Sequence, residues 1–156
     1  MTALILAAAG SSTRIGGPIK KQYIQLGRGT VLSQSAKPFL LSRTVDIIIV
    51  TVPAGEEATA QKALFSDSEI RKLSTDVKII FVTGGTTRQE SVFNALKKLS
   101  EESSSIDFVL IHDGARPFVT EKIILDALKG AEEYGAAVPA LIPVDTQKET
   151  DSSGFI

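Results

Sequence analysis

Five short apolar runs are spaced along the chain, and segments with helical periodicity separate them. The runs cover residues 4–8, 45–52, 77–82, 108–112 and 137–144. Continuous β-branched stretches such as DIIIVTV and KIIFVT are typical of strands buried on both faces of a parallel sheet. Each run is closely followed by Gly, Pro, Ser or Thr, which favour turns. The pattern therefore predicts five strands.

Helical periodicity predicts four helices, at residues 31–41, 56–64, 88–99 and 121–134. Thr87 and Glu90 form a capping-box signature before the third helix, while Pro38 is expected to shorten or kink the first. In the fourth helix, Thr120 is expected to cap the N-terminus and Gly135 to end the helix. Its apolar face is expected to contain Ile123, Ile124, Ala127, Leu128 and Ala131. The expected apolar stripe of the third helix is Val92, Phe93, Leu96 and Leu99.

The alternation of strands and helices predicts the fold class. It favours an α/β fold with a doubly wound, mostly parallel sheet and right-handed crossovers. In such folds, ligands bind outside the carboxyl ends of the strands. Four loops are expected there, at residues 9–21, 53–55, 83–88 and 113–117, and three of them contain a basic residue. This placement favours a local anion site.

The composition narrows the classes of partner. A chain of 156 residues is expected to form a single domain. Its formal net charge of −1 gives no bulk attraction to nucleic acid or to an anionic membrane. The absence of cysteine excludes disulfides, thiolate metal ligands and a thiol nucleophile. No apolar run approaches the roughly 20 residues of a membrane span and no signal-peptide pattern is present, so we expect a cytoplasmic protein.

The segment AAAGSSTRIGGPIKKQY combines small residues with positive charge. Gly10 lets the backbone turn without a Cβ, so that successive N–H groups can converge on phosphate oxygens. The planar fork of Arg14 matches a phosphate, although an ordinary turn with a solvated arginine is an equal alternative on these residues alone. The spacing matches neither GxGxxG nor GxxxxGK[ST], so a dinucleotide-binding module and a P-loop NTPase both fit poorly.

Two further loops contain candidate chemistry. In VTGGTTRQES, Gly84 and Gly85 precede a helix N-terminus that can take an anion or a base edge, with a simple left-handed turn as the alternative. In VLIHDGARPF, Asp113 ends a strand and suits Mg²⁺, which takes one or two carboxylates plus substrate phosphates. An Asp-Gly pair also occurs in ordinary turns. We interpret His112, the only histidine, as a packed and hydrogen-bonded residue rather than a base.

Taken in chain order, AAAGSSTRIG, KKQY, VTGGTTRQESV, HDGARPF and PVDTQK resemble the 2-C-methyl-D-erythritol 4-phosphate cytidylyltransferase family. The match spans the chain, and its longer strings are far more specific than a lone glycine loop. The resemblance implies a Rossmann-like nucleotidyltransferase fold and a Mg²⁺ cofactor. It implies transfer of CMP from CTP to 2-C-methyl-D-erythritol 4-phosphate, with release of pyrophosphate, in isoprenoid precursor synthesis. It also implies a homodimer that binds CTP and a sugar-alcohol phosphate, without nucleic-acid or membrane partners.

The same resemblance implies roles for individual residues. Arg14 and Lys21 would be catalytic and stabilise the α-phosphate under attack, and Asp113 would hold the metal. Arg116 and Thr146 would face the sugar phosphate, and the resemblance leaves open whether this is the phosphate bound by the same subunit or by the partner subunit of a dimer. The residues expected around the nucleotide are Ala8, Ala9, Gly10, Ser11, Ser12, Thr13, Gly85, Thr86 and Ser91.

Three departures from the family pattern bear on these expectations. The family usually has Pro-Lys-Gln where this chain has Lys20, Lys21 and Gln22, so either lysine can be the phosphate ligand, and the spacing from Arg14 favours Lys21. Gln147 replaces a commonly apolar residue. Family members continue with a dimerisation arm and a further C-terminal segment. We therefore expect a truncated or abbreviated chain whose CTP half-site is complete and whose sugar-phosphate half-site is not.

Three other functions stay open on the sequence alone. A ribitol-5-phosphate cytidylyltransferase shares the CTP chemistry but tends to have Asp-Ala-Val-Arg-Pro where this chain has DGARP at residues 113–117. A catalytically incomplete CTP-binding fragment is the second alternative. A dinucleotide-dependent oxidoreductase is the third, and the missing glycine fingerprint disfavours it.

Overall fold

Four of the five predicted strands and all four predicted helices are present in the predicted order, and residues 68–73 form an additional short helix while residues 25–30 contain an additional strand pair. The computed structural model describes residues 1–11, 19–146 and 148–153. Its strands are β1 (Thr2–Ala7), β2 (Gln25–Leu26), β3 (Gly29–Thr30), β4 (Ile47–Val52), β5 (Lys78–Thr83) and β6 (Phe108–Asp113). Its α-helices are α1 (Val31–Leu41), α2 (Glu57–Leu64), α3 (Ser68–Leu73), α4 (Arg88–Glu102) and α5 (Glu121–Tyr134). A 3₁₀ turn spans Lys21–Tyr23.

The four longer strands form a parallel sheet in the order β5-β4-β1-β6. Ile5 of β1 lies beside Ile49 of β4 on one side and Ile111 of β6 on the other. The chain moves outward from β1 to β4 and β5, and then returns to the opposite side of β1 for β6. In parallel α/β sheets this reversal of strand order is where loops splay apart and leave a crevice.

Alternate residues of the central strands face two different apolar layers. Leu4 and Leu6 pack into the layer that contains residues of α1, α2, α3 and α5. Ala3 and Ile5 pack into the layer covered by Ala95 and Leu99 of α4. The side chains of β4 are buried throughout, whereas those of β6 are half-buried or exposed. Burial on both faces is thus confirmed for β1 and β4 and is wrong for β5 and β6, each of which pairs with a single strand in the described part of the chain.

Local signals set the helix boundaries. Thr87 and Glu90 form the predicted capping box at the start of α4, and the Thr120 side chain accepts a hydrogen bond from the Ile123 backbone N–H at the start of α5. Gly135 ends α5 in the left-handed conformation, with φ 83°. Pro38 does not shorten α1, which continues to Leu41. No helix in the described ranges is both long enough and apolar enough to cross a bilayer.

The fifth predicted strand, residues 137–144, is wrong. No strand of the described chain pairs with this segment, and Val138 and Val144 are 87% and 97% exposed. A continuous apolar run indicates a capacity for burial, but a strand also needs a hydrogen-bonded neighbour. Within the described ranges, no such neighbour is present for these residues.

The predicted apolar stripe of α4 is only partly correct. Phe93 is 60% exposed, whereas Ser91, Ala95 and Leu99 are buried. Small side chains at a spacing of four let the helix lie close to β1 and β4, so the contact face is rotated away from Phe93. The predicted apolar face of α5 is likewise only partly buried. Ile124 is its one fully buried residue, and Ile123 is 39% exposed.

Candidate functional site

A cleft of about 640 Å³ opens at the carboxyl ends of the parallel strands. The loops after β1, β5 and β6 form its walls, and Thr51 of β4 contributes to its floor. This position is the crevice expected where the strand order reverses. Loop 53–55, which was also expected at this edge, does not line the cleft.

A buried glutamine fixes the first part of the loop after β1. The Gln22 side chain is 1% exposed, and its amide nitrogen donates to the Ala8 carbonyl at 2.9 Å and to the Gly10 carbonyl at 3.3 Å. The Ala8 N–H in turn donates to the Thr51 carbonyl at 3.0 Å. The backbone of residues 8–10 is therefore held at the cleft by partners from two other elements. The sequence analysis did not identify Gln22, since its neighbours Lys20 and Lys21 dominate that stretch.

The 3₁₀ turn separates the two candidate lysines. Lys20 caps the turn, and its ammonium group forms an ion pair with the Glu56 carboxylate. Lys21 is the first residue within the turn and lines the cleft. The geometry therefore favours Lys21 over Lys20 as the lysine that contacts a ligand.

The backbone N–H groups of the loop after β5 donate to side chains of the first turn of α4. The Gly85 N–H donates to the Ser91 hydroxyl at 3.0 Å, and the Thr86 and Thr87 N–H groups donate to the Glu90 carboxylate at 2.7 and 3.2 Å. Hydrogen bonds from Thr86 and Thr87 hold the pKa of Glu90 below its ordinary value. The Glu90 carboxylate thus occupies the N–H groups of Thr86 and Thr87. Neither Gly84 nor Gly85 has a positive φ, so the left-handed turn given as the alternative for this loop is wrong. The anion or base-edge site stays a prediction.

Gly84 lies where two elements approach most closely. A Cβ at this position would lie 2.3 Å from the Ala9 Cβ and 2.8 Å from the Ser91 hydroxyl. We therefore expect Gly84→Ala to lower the free energy of unfolding by about 1–3 kcal/mol, as overpacking does. Urea denaturation measures the loss. Gly10→Ala is the matched control, because a Cβ at Gly10 meets nothing within 4 Å, and equal stability of the two variants would contradict the prediction.

The loop after β6 places two arginines on one carboxylate. Asp113 is the last residue of β6, and its Oδ1 accepts a hydrogen bond from Arg88 Nε at 3.0 Å while its Oδ2 accepts one from Arg116 Nε at 2.8 Å. Burial by itself raises the pKa of Asp113, but the hydrogen bonds and charges of Arg116 and Arg88 outweigh it, so the pKa lies below its ordinary value. Asp113 is therefore ionised at neutral pH.

His112 supports the same loop from behind. Its Nε2 lies 2.9 Å from the Arg116 carbonyl oxygen, and its ring packs against Phe39 with the centroids 5.0 Å apart. These contacts agree with the interpretation of His112 as a packed, hydrogen-bonded residue. Burial lowers the pKa of His112 below its ordinary value of 6.5, against the opposing effects of the Arg116 carbonyl and Asp113.

The lowered pKa of His112 predicts a specific pH dependence of stability. As pH falls below about 6.5, the unfolded chain binds the histidine proton before the folded chain does. The free energy of unfolding therefore decreases with falling pH, beginning in a range above the ordinary pKa values of the carboxyl groups. We expect His112→Gln to lose this slope between about pH 6.5 and 5, since its amide can still donate to the Arg116 carbonyl. Urea denaturation across this range measures it, and an unchanged slope would contradict the assignment.

The cleft brings together most of the predicted site residues. Thr146 is exposed and does not line it. Ser12, Thr13 and Arg14 lie outside the described residues, so their predicted roles stay predictions. The predicted residues that line the cleft are Ala8, Ala9, Gly10, Ser11, Lys21, Gly85, Thr86, Ser91, Asp113 and Arg116. The lining residues that the sequence analysis did not assign are Ala7, Gln22, Thr51, Thr87, Arg88 and Ala115.

Arg88 is the missed residue with the clearest sequence signal. It is the first residue of α4, directly after the glycine loop that follows β5. A basic residue at the start of a helix that follows a parallel strand lies near the carboxyl ends of the strands, where ligands bind. Its partner, Asp113, is 25 residues away in the chain, so the pairing itself has no local signature.

Comparison with known proteins identifies relatives over nearly the whole chain. A family model described as 2-C-methyl-D-erythritol 4-phosphate cytidylyltransferase matches residues 2–156. Curated proteins of that name from Clostridium beijerinckii and Clostridium botulinum are each 40% identical to this chain over 155 residues. These alignments cover 99% of this chain but 64% and 65% of the two relatives, so the chain spans slightly less than two thirds of their length.

A solved structure shows the same fold. It is described as the 4-diphosphocytidyl-2C-methyl-D-erythritol synthase of Anaerococcus prevotii and superposes with a TM-score of 0.77 at 28% identity. The superposition covers 99% of this chain and 60% of that one. The α/β fold predicted from the alternation of strands and helices is therefore confirmed.

Proposed function

The chain belongs to the 2-C-methyl-D-erythritol 4-phosphate cytidylyltransferase family, and from that premise we propose that its cleft binds CTP for transfer of CMP to 2-C-methyl-D-erythritol 4-phosphate. The observation that most supports this proposal is the arrangement of the cleft. The small-residue loop after β1, Lys21 and Asp113 line one space, although they come from different parts of the chain. A loop without large side chains, a lysine and a carboxylate suit a nucleoside triphosphate with its metal.

The reaction needs charge neutralisation more than proton transfer. An oxygen of the sugar-phosphate monoester attacks the α-phosphorus of CTP, and the bond from that phosphorus to the bridging oxygen breaks. Pyrophosphate leaves with the electron pair. The attacking monoester is largely a dianion at neutral pH, since its second pKa is about 6, so no general base is required. Preorganised cations supply the main stabilisation in such a reaction.

Each proposed residue has one task in this chemistry. Lys21 and Arg14 reduce the repulsion between the two phosphates and stabilise the charge that develops on the α-phosphate. Arg116, 75% exposed at the cleft, supplies a planar fork for the acceptor's phosphate. The Gln22-anchored loop at residues 8–10 lets the nucleotide approach the backbone. The roles of Lys21 and Arg116 are proposals that rest on position and charge, and that of Arg14, which lies outside the described residues, rests on the family resemblance.

Asp113 suits a divalent cation as one ligand among several. The described residues contain no group of three or more His, Asp or Glu side chains that could hold a metal by themselves. Mg²⁺ commonly uses one or two carboxylates and completes its shell with water and substrate phosphates, so a single ionised carboxylate fits. A bound Mg²⁺ would neutralise charge on the phosphates, and Asp113 would hold it there.

The packing around Gly114 explains why this chain has the glycine of the DGARP pattern, which differs from the ribitol pattern at this position. The ribitol pattern has alanine where this chain has Gly114. Here a Cβ on Gly114 would lie 2.8 Å from the Ala8 Cβ and 3.1 Å from Leu32 Cδ1. The close contact between the loops after β1 and β6 therefore leaves no room for a side chain at residue 114, and glycine is the residue of the DGARP pattern there.

The test measures binding and turnover separately. Calorimetry compares CTP with UTP, ATP and GTP, and we expect the chain to prefer CTP. Pyrophosphate release is then measured with CTP, Mg²⁺ and either 2-C-methyl-D-erythritol 4-phosphate, ribitol 5-phosphate or no acceptor. We expect slow release, and with the first acceptor alone, because the sugar-phosphate half-site is expected to be incomplete. Absence of any preference for CTP would overturn the proposal.

A CTP-binding unit with little turnover is the second candidate. It stays open because Arg116 is the one predicted acceptor residue that lines the cleft, whereas Thr146 is exposed and outside it, as a residue facing the partner subunit's sugar phosphate would also be. Selective CTP binding without pyrophosphate release from either acceptor would support it. The homodimer and the cytoplasmic location implied by the resemblance also stay predictions, and light scattering tests the former.

A further inference from the structure

The geometry points to Arg88 as a positioning residue that holds Asp113 before the nucleotide binds and moves to the nucleotide phosphates afterwards. Metal binding at Asp113 and nucleotide binding would thereby be coupled. This inference rests on the proposed function, because it takes a phosphate-bearing ligand in the cleft and a divalent cation at Asp113.

The two arginines occupy both oxygens of one carboxylate. Arg88 contacts Oδ1 of Asp113 through Nε and Nη2, each at 3.0 Å, while Arg116 contacts Oδ2 through Nε at 2.8 Å. A divalent cation at Asp113 would meet two guanidinium charges within a few ångströms. Like charges at this separation repel, so the arrangement as it stands disfavours a metal.

Arg88 differs from Arg116 in where it is anchored. Arg116 belongs to the same loop as Asp113, three residues further along the chain. Arg88 belongs to the opposite wall of the cleft, at the first residue of α4, and its guanidinium reaches across to Asp113. The Glu90 carboxylate fixes the backbone on that wall by accepting from the Thr86 and Thr87 N–H groups. The Arg88 backbone is thus held in place while its long side chain can change partner.

A triphosphate offers Arg88 a better partner than Asp113 does. The Arg88 side chain is 62% exposed, and exposed ion pairs are weak and screened by solvent. Phosphate oxygens accept two parallel guanidinium hydrogen bonds and have a higher charge. When Arg88 turns to the phosphates, Asp113 regains a free oxygen for the metal. Nucleotide and metal therefore each make the binding of the other more favourable, as linkage requires.

The experiment uses Arg88→Gln, with Arg28→Gln as the matched control. Arg28 is an exposed arginine between β2 and β3 that does not line the cleft. Mn²⁺ binding is measured by electron paramagnetic resonance on nucleotide-free protein. CTP binding is measured by calorimetry in the presence of a chelator. Both readouts are independent of turnover.

We expect opposite changes in the two affinities. Arg88→Gln should bind Mn²⁺ at least threefold more tightly than the parent chain and bind metal-free CTP about tenfold more weakly. The gain in Mn²⁺ affinity should vanish when Asp113→Asn is added, and Arg88→Lys should restore part of the CTP affinity. Arg28→Gln should change neither quantity.

Each contrary result has a definite meaning. An unchanged Mn²⁺ affinity, or an unchanged CTP affinity, in Arg88→Gln would overturn the inference. Failure of the proposed function is recognised separately, because the parent chain would then show no preference for CTP. The effect of Arg88 on Mn²⁺ at Asp113 is measured without any nucleotide and does not depend on that outcome.

Discussion

Lys21→Ala is expected to lower the rate of CMP transfer by about 10²–10³-fold, the usual cost of removing one preorganised charged donor from a polar transition state. Lys21 lines the cleft beside the loop after β1, where the α-phosphate of CTP is proposed to lie. Because the ammonium group also neutralises phosphate in the ground state, the affinity for CTP should fall as well. Pyrophosphate release gives the rate, and calorimetry gives the affinity.

Lys20→Ala is the matched control for this prediction. It removes the same charge from the neighbouring residue, which is paired with Glu56 instead of lining the cleft. We expect this variant to keep its rate and its CTP affinity within about threefold of the parent. A larger loss in Lys20→Ala than in Lys21→Ala would reverse the assignment. Thermal denaturation checks that both variants are folded.

Asp113→Asn is expected to remove metal dependence and to lower turnover by at least about a hundredfold. The substitution keeps the shape of the side chain but removes the negative charge that a divalent cation requires. It also takes away the anionic partner of Arg88 and Arg116. Both guanidinium groups are largely exposed, so stability should change little. A Mn²⁺ titration and pyrophosphate release measure the two effects.

Asp107→Asn is the matched control for Asp113→Asn. Asp107 directly precedes β6, so it lies at the amino ends of the strands, away from the cleft at their carboxyl ends. Its side chain is 71% exposed and forms an ion pair with the N-terminal amine of Met1. Neutralising it should leave Mn²⁺ binding and turnover unchanged. A metal titration of Asp113→Asn that matches the parent chain would show that Asp113 is not the metal ligand.

The elements that could be predicted from the sequence are those with local causes. The signal for β4 is a run of consecutive β-branched residues, and the signal for the start of α4 is the capping box of Thr87 and Glu90, three residues apart. The structure contains both. The unpredicted helix α3 is a local error, since its cap Asp67 directly precedes it in the chain, whereas two other errors depend on a distant neighbour. Residues 137–144 are apolar but have no pairing strand in the described chain, and Phe93 is exposed because α4 packs on β1 and β4 through smaller side chains.

For the site, the sequence by itself determined that the loops after the strands lie at one end of the sheet, because parallel strands point their carboxyl ends the same way. Only the tertiary structure decided that the loops after β1, β5 and β6 line the cleft while loop 53–55 does not, and how the charges there are paired. Lys20 turns to Glu56, 36 residues away, and Arg88 reaches Asp113, 25 residues away. Strand and helix formation follows from local backbone preference, whereas the partner of a long charged side chain depends on every group that folding brings within its reach.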